Sequence, residues 1–136
     1  MKILFVLGLL FSAQISYAEV VVIVNSANTS AVNMDDVSRI FLGKKSSFSN
    51  GANASPYYLP AGDSVREAFD EKALGKTSSQ LKAYWSKLVF TGKGSPPPEV
   101  SSAQDAVNKV ATDPSAIAYV DRSAVTDAVK IVLTVP

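Results

Sequence analysis

The sequence predicts an α/β fold, a central, mostly parallel sheet with helices on both faces, formed by one domain. Three observations lead there. Val20 to Val24 is an unbroken apolar, β-branched run, the mark of a strand buried on both faces. Further runs of this kind are separated by segments of helical period, so strands alternate with helices. The chain has 0 Cys among its 136 residues, so its core must be held by packing, although an exporting compartment would allow disulfides.

The elements follow in order. Lys2, the apolar run Ile3 to Phe11 and the small-residue end Ser16-Tyr17-Ala18 predict a secretory signal peptide over residues 1–18, cleaved after Ala18. The run is about half the ~20 apolar residues a bilayer span needs, so the product, residues 19–136, is expected to be free of the membrane. The first strand is Glu19 to Val24, ending at Asn25-Ser26. Met34, Val37, Ile40 and Phe41 then share a helical face; Asn33 can cap it, Asp35 and Asp36 favour its first turn, and Gly43 closes it beside Lys44 and Lys45.

Phe48 to Ser55 reads as a surface loop and Pro56-Tyr57-Tyr58-Leu59-Pro60 as a second strand. Ser64 with Glu67 forms a capping box for a helix carrying Val65, Ala68, Phe69 and Leu74, with Gly75 at its end. Thr77 with Gln80 opens a third helix, on which Leu81, Tyr84, Trp85, Leu88 and Val89 make one stripe. Trp85 is expected in the core, its N–H on a backbone carbonyl. The three prolines Pro96 to Pro98 enforce a loop. Ala103, Ala106, Val107, Val110 and Ala111 mark a fourth helix, stopped by Asp113-Pro114, and Ala116 to Val120 and Val129 to Val135 are the last strands.

Four blocks carry a resemblance. Val37-Ser38-Arg39-Ile40-Phe41-Leu42-Gly43-Lys44, Tyr84-Trp85, Phe90-Thr91-Gly92-Lys93-Gly94 and Ala116-Ile117-Ala118-Tyr119-Val120 resemble, in order and separation, the substrate-binding proteins of phosphate ABC transporters, within the periplasmic binding protein superfamily. The likeness extends over nearly all of residues 19–136 but only about half of a two-lobed binding protein. It therefore implies a single lobe of that fold, a periplasmic location and phosphate as ligand. In the family a Ser-Gly-Thr turn opens the equivalent helix, preceded by an acidic residue and followed by an aromatic one. Asp63, Ser64 and Phe69 match this pattern, whereas Val65 replaces the glycine and Arg66 the threonine.

The residues themselves single out the same place. In Ala61-Gly62-Asp63-Ser64-Val65-Arg66, the expected second strand leads straight into a capped helix. Gly62 permits close approach, Ser64 offers a hydroxyl, the first-turn N–H groups are donors and Arg66 adds a cation, a set that suits a tetrahedral oxyanion. A purely structural cap, with Arg66 paired to Asp70 one turn on, explains the same residues. Asp63 has two readings as well: an acceptor for the proton of hydrogen phosphate, which sulfate lacks, or the helix cap. Ser26, in the polar run Asn25 to Ser30, is a second candidate contact, although that run equally forms a self-bonded turn. Thr91-Gly92-Lys93-Gly94-Ser95 is a weak candidate for an anion nest.

Composition narrows the rest. With 0 His and 0 Cys the chain has no imidazole base, no thiolate and none of the usual transition-metal ligands, so neither an enzyme nor a cofactor or metal is expected. Loss of Lys2 turns 13 basic and 12 acidic residues into 12 and 12, and no basic stripe marks a nucleic-acid partner. The expected function is a periplasmic solute-binding module that holds phosphate or a similar oxyanion at a helix N-terminus and is linked to ABC-type phosphate uptake or sensing. The alternative is an interaction module that keeps the fold but docks on a membrane receptor, a porin or its own copy.

Overall fold

The computed structural model of the chain describes residues 19–136; the expected signal peptide over residues 1–18, with its expected cleavage after Ala18, lies outside the described residues. Strand β1 (Val20–Asn25) is followed by helix α1 (Met34–Phe41) and the two-residue strand β2 (Ser55–Pro56). Helix α2 (Ser64–Phe69) runs on into a wider π turn (Asp70–Leu74), and α3 (Ser78–Phe90) and α4 (Ala103–Thr112) complete the helices. Strand β3 (Ala116–Asp121), a short 3-10 turn (Arg122–Ala124) and β4 (Val129–Thr134) close the fold.

The α/β class is as expected, but the sheet is not mostly parallel. Its order is β2-β3-β1-β4. Strand β1 runs antiparallel to both β3 and β4, and the single parallel pair is β2 with β3, at Ser55↔Ala116 and Pro56↔Ile117. An unbroken apolar run reports burial on both faces, which a central strand has whichever way its neighbours point. Every residue from Val20 to Val24 is indeed buried, as are Ala116 to Val120. Helices α2 and α4 both lie against β1 and β3.

The helix ends show how local sequence sets the frame. Asn33 and Asp36 form the capping box of α1, and Thr77 and Gln80 that of α3. At the end of α1, Lys44 N–H reaches Arg39 O at 2.8 Å and Gly43 N–H reaches Ile40 O at 3.2 Å, with Gly43 at φ 73°, a Schellman closure that requires the left-handed residue glycine supplies. The core centres on aromatic rings: Tyr119 stacks on Phe69 at 3.8 Å, and Phe41 meets Phe69 edge-on at 4.9 Å. The Tyr119 hydroxyl accepts a bond from Leu59 N–H at 3.2 Å. That bond fixes the chain just before Gly62.

Candidate functional site

The turn Ala61 to Arg66 leaves the carboxyl side of β2 and enters α2. Gly62 has φ 86° and open space where a Cβ would stand, so the backbone here is accessible as well as glycine-dependent. The cap of α2 is Asp63, not Ser64. Asp63 Oδ1 accepts from Val65 N–H at 2.8 Å and from Arg66 N–H at 3.3 Å, and Glu67 N–H is taken by Asp63 O. Both residues are good caps; the one residing in extended backbone immediately before the helix wins. Ser64 is left exposed, with a free hydroxyl and the one first-turn N–H that has no acceptor among the described residues.

Arg66 is more heavily engaged than its spacing from Asp70 implies. Its Nη1 donates to Leu59 O at 3.0 Å and to Glu99 Oε1 at 2.6 Å, while Nε stands 3.9 Å from Asp70 Oδ2. The guanidinium lies 4.8 Å from the centre of the Tyr58 ring, within reach of a cation–π attraction. Burial acts to lower the Arg66 pKa, but the bond to Glu99 together with the charges of Tyr119, Glu99 and Asp70 outweighs it, and the net direction is upward. Glu99 lies 33 positions from Arg66 in sequence, so no local pattern announces the pair; the Pro96 to Pro98 loop delivers it through the bridge between Tyr58 and Glu99.

Ser26 does not join this turn. Strand β1 is antiparallel to β3, and β2 is parallel to β3, so the carboxyl ends of β1 and β2 lie at opposite ends of the sheet. The segment around Ser26 is a self-bonded turn: Ala27 N–H reaches Asn25 Oδ1 and Ser30 N–H reaches Asn28 Oδ1, each at 2.9 Å. Asn25 Nδ2 ties it to Val110 O at 2.9 Å, beside the end of α4. The Thr91 to Ser95 loop is likewise structural at its start. Lys93 N–H donates to Leu88 O and Gly92 N–H to Val89 O, at 2.9 and 3.1 Å, a second Schellman closure.

Beside the Gly62 turn opens a groove of about 870 Å³, lined by Tyr58, Gly62, Arg66 and Glu99 at one side and by Leu81, Trp85 and Phe90 along α3. The expected apolar stripe of α3 is only partly covered: Leu81 and Trp85 are buried and Tyr84 and Leu88 half-buried, whereas Val89 is 55% exposed, and beside it Phe90, outside the stripe, is 93% exposed. The Trp85 indole N–H does not reach a backbone carbonyl; it is buried against the Tyr58 hydroxyl, its neighbouring acceptor, without closing a well-formed hydrogen bond. Burial pushes the Tyr58 hydroxyl pKa up, so it remains a neutral donor at any ordinary pH. Among the described residues no cluster of three or more metal-ligating side chains is found, and no helix is long and apolar enough to cross a membrane.

This arrangement of strands and helices recurs in solved structures. A crystal structure of an ABC-type phosphate transport receptor from Vibrio cholerae superposes with a TM-score of 0.68 at 16% identity, covering 85% of this chain and 45% of that one. This chain shares its fold. A putative phosphate ABC transporter substrate-binding protein with bound phosphate from Clostridium perfringens gives 0.67 at 20% identity, over 86% of this chain and 45% of that one. PstS from Borrelia burgdorferi gives 0.63 at 11% identity, over 85% and 47% respectively. The chain therefore spans less than half the length of these structural neighbours. No protein-family model and no curated protein matches the sequence.

Proposed function

We propose that the chain is a periplasmic solute-binding module that holds phosphate or a similar oxyanion at the Gly62 turn and serves ABC-type phosphate uptake or sensing, with its leader removed after Ala18. The observation that carries this reading is the meeting of three complementary groups at an open turn. Ser64 supplies its hydroxyl and its unclaimed N–H. Arg66 supplies Nη2, which makes no hydrogen bond among the described residues, since its bonds to Leu59 O and Glu99 both run from Nη1. Asp63 uses Oδ1 as the cap, and Oδ2 remains to accept the proton of hydrogen phosphate. Sulfate has no such proton near neutral pH, so the same carboxylate would repel it. The phosphate transport receptor and the phosphate-bound binding protein that share the fold support this reading by analogy, and the residues at the turn carry it.

Calorimetric titration of the purified protein with phosphate and then sulfate at low salt tests it. The expected result is phosphate binding with sulfate at least ten-fold weaker. Arg66→Ala should weaken phosphate about ten-fold or more, since a hydrogen bond to a charged group contributes roughly 1.5–3 kcal/mol. Asp63→Asn keeps a good cap and should erase the preference over sulfate. Absence of heat with both anions would overturn the proposal. The other reading, a docking module for a membrane receptor, a porin or its own copy, has the exposed pair Val89 and Phe90 in its favour, and would then be tested by capture of envelope proteins and by the oligomeric state.

A further inference from the structure

We infer that the ligand held at the Gly62 turn is an organic anion, a phosphorylated or carboxylated molecule whose flat apolar body lies in the groove along α3. This rests on the oxyanion reading of the turn and names the class of molecule that reading leaves open. Ala61, Gly62 and Arg66 line the same groove as Trp85, Phe90 and Pro96, so the groove reaches the turn through Gly62 and Arg66, with Asp63 and Ser64 just beyond its lining.

Size separates the two kinds of ligand. A bare tetrahedral oxyanion takes the room of two or three water molecules, at about 30 Å³ each, whereas the groove holds about 870 Å³, well within the range of pockets that enclose small organic ligands. Charge leads the same way. Arg66 is met by Glu99 at 2.6 Å, and the other charged groups on the walls, Lys82 and Glu67, are one of each sign. A bare anion gains little net field there. An apolar body, in contrast, would cover Val89 and Phe90, now 55% and 93% exposed at the rim, and burial of apolar surface is the stronger source of affinity.

The Arg66–Glu99 pair is placed to orient such a ligand. Glu99, with a half-exposed side chain, can turn toward solvent and yield Arg66 Nη1 to the anionic group. Aromatic and proline rings, Tyr58, Trp85, Phe90, Pro96 and Pro97, make up much of the wall, which favours a flat ring over a flexible chain.

Trp85 is the 1 Trp in the sequence, so its emission reports the groove directly. The purified protein is titrated at low salt with phenyl phosphate, inorganic phosphate and benzyl alcohol, following both heat and fluorescence. Phenyl phosphate should bind at least ten-fold more tightly than inorganic phosphate and shift the Trp85 emission. The surface variants Val89→Ser and Phe90→Ser should weaken phenyl phosphate several-fold and leave inorganic phosphate unchanged. Equal affinity for the two phosphates, or binding without a Trp85 response, overturns this inference while the oxyanion reading stands. Benzyl alcohol binding as tightly as phenyl phosphate overturns it too, because the anion would then be idle. Phenyl phosphate binding without any inorganic phosphate binding supports the inference and confines the turn to organic anions, and silence from all three probes removes both proposals.

Discussion

Asp70 is the residue most at odds with its surroundings. It is 1% exposed, and neither carboxylate oxygen has a hydrogen-bond partner among the described residues. Arg66 offers only a distant Nε at 3.9 Å, because Leu59 O and Glu99 have drawn its guanidinium away; the nearby Tyr58 and Tyr119 hydroxyls and Glu67 feel the Asp70 charge as well. Burial pushes the Asp70 pKa up to about 6, with Arg66 pulling it back and Glu67 adding to the rise. A folded-state pKa above the unfolded value means the native state binds the proton more tightly, so Asp70 lowers stability as pH climbs from about 4 through about 6, and the penalty is full above that. Two pKa units correspond to about 2–3 kcal/mol. Asp70→Asn, nearly isosteric and neutral, should therefore raise the urea midpoint at pH 7.5, change it little at pH 4, and flatten the stability profile between them. A variant that is less stable than the parent at pH 7.5 would show that the charge is wanted there. The sequence shows the spacing of Arg66 and Asp70 as an ordinary ion pair one turn apart; it cannot show the competing partner Glu99, which arrives through tertiary structure.

At the scale of elements, the caps of α1 and α3 are legible because each is a closed local pair, Asn33 with Asp36 and Thr77 with Gln80. The start of α2 is not, since Asp63 and Ser64 stand side by side and both satisfy the rules for capping. The π turn Asp70–Leu74 is also silent in the sequence, as it costs one extra residue in a helix that still ends at Gly75. Periodicity places Val89 on the stripe of α3, and the structure leaves it on the rim of a groove; a period reports which residues share a face, not whether anything covers it. The contact between α1 and α3 yields a direct test. A Cβ at Gly43 would stand 3.1 Å from Trp85 Cη2, and Gly43 has φ 73°. Gly43→Ala should cost more than about 1 kcal/mol and alter the Trp85 emission. Gly51, at φ 86° with nothing within 4 Å of a Cβ, carries the backbone strain alone, so Gly51→Ala should cost less and leave the emission unchanged. Equal costs would mean the Trp85 contact relaxes freely.

For the molecule as a whole, the sheet decides both what holds the fold together and what the sequence could convey about it. Val20 to Val24 are buried at every position, and a strand with no exposed face carries no alternation from which pairing or direction could be read. Direction matters for the site, because the antiparallel placement of β1 sends Ser26 to the end of the sheet away from Gly62. It also grades stability across the molecule. Strand β1 is paired on both sides, with β3 and with β4, whereas β2 contributes two ladder positions and is continued by one bond from Tyr57 N–H to Ile117 O at 3.0 Å and by an isolated bridge at Tyr58, whose N–H donates to Pro98 O at 2.9 Å and whose O accepts from Val100 N–H at 2.8 Å. The amides of β1 should therefore exchange with solvent hydrogen only through global unfolding, those of the edge strand β4 faster, and those of Tyr57 and Tyr58 by local opening well below the global free energy. Since Tyr58 and the Tyr119 bond to Leu59 N–H hold the approach to Gly62, that local opening would also loosen the turn that positions Ser64 and Arg66. Phosphate, if bound there, should slow exchange at Tyr57 and Tyr58 while leaving β1 unchanged. Protection at Tyr57 equal to that of β1 in the free protein would mean that the site is built into the rigid core and does not depend on a separately opening edge.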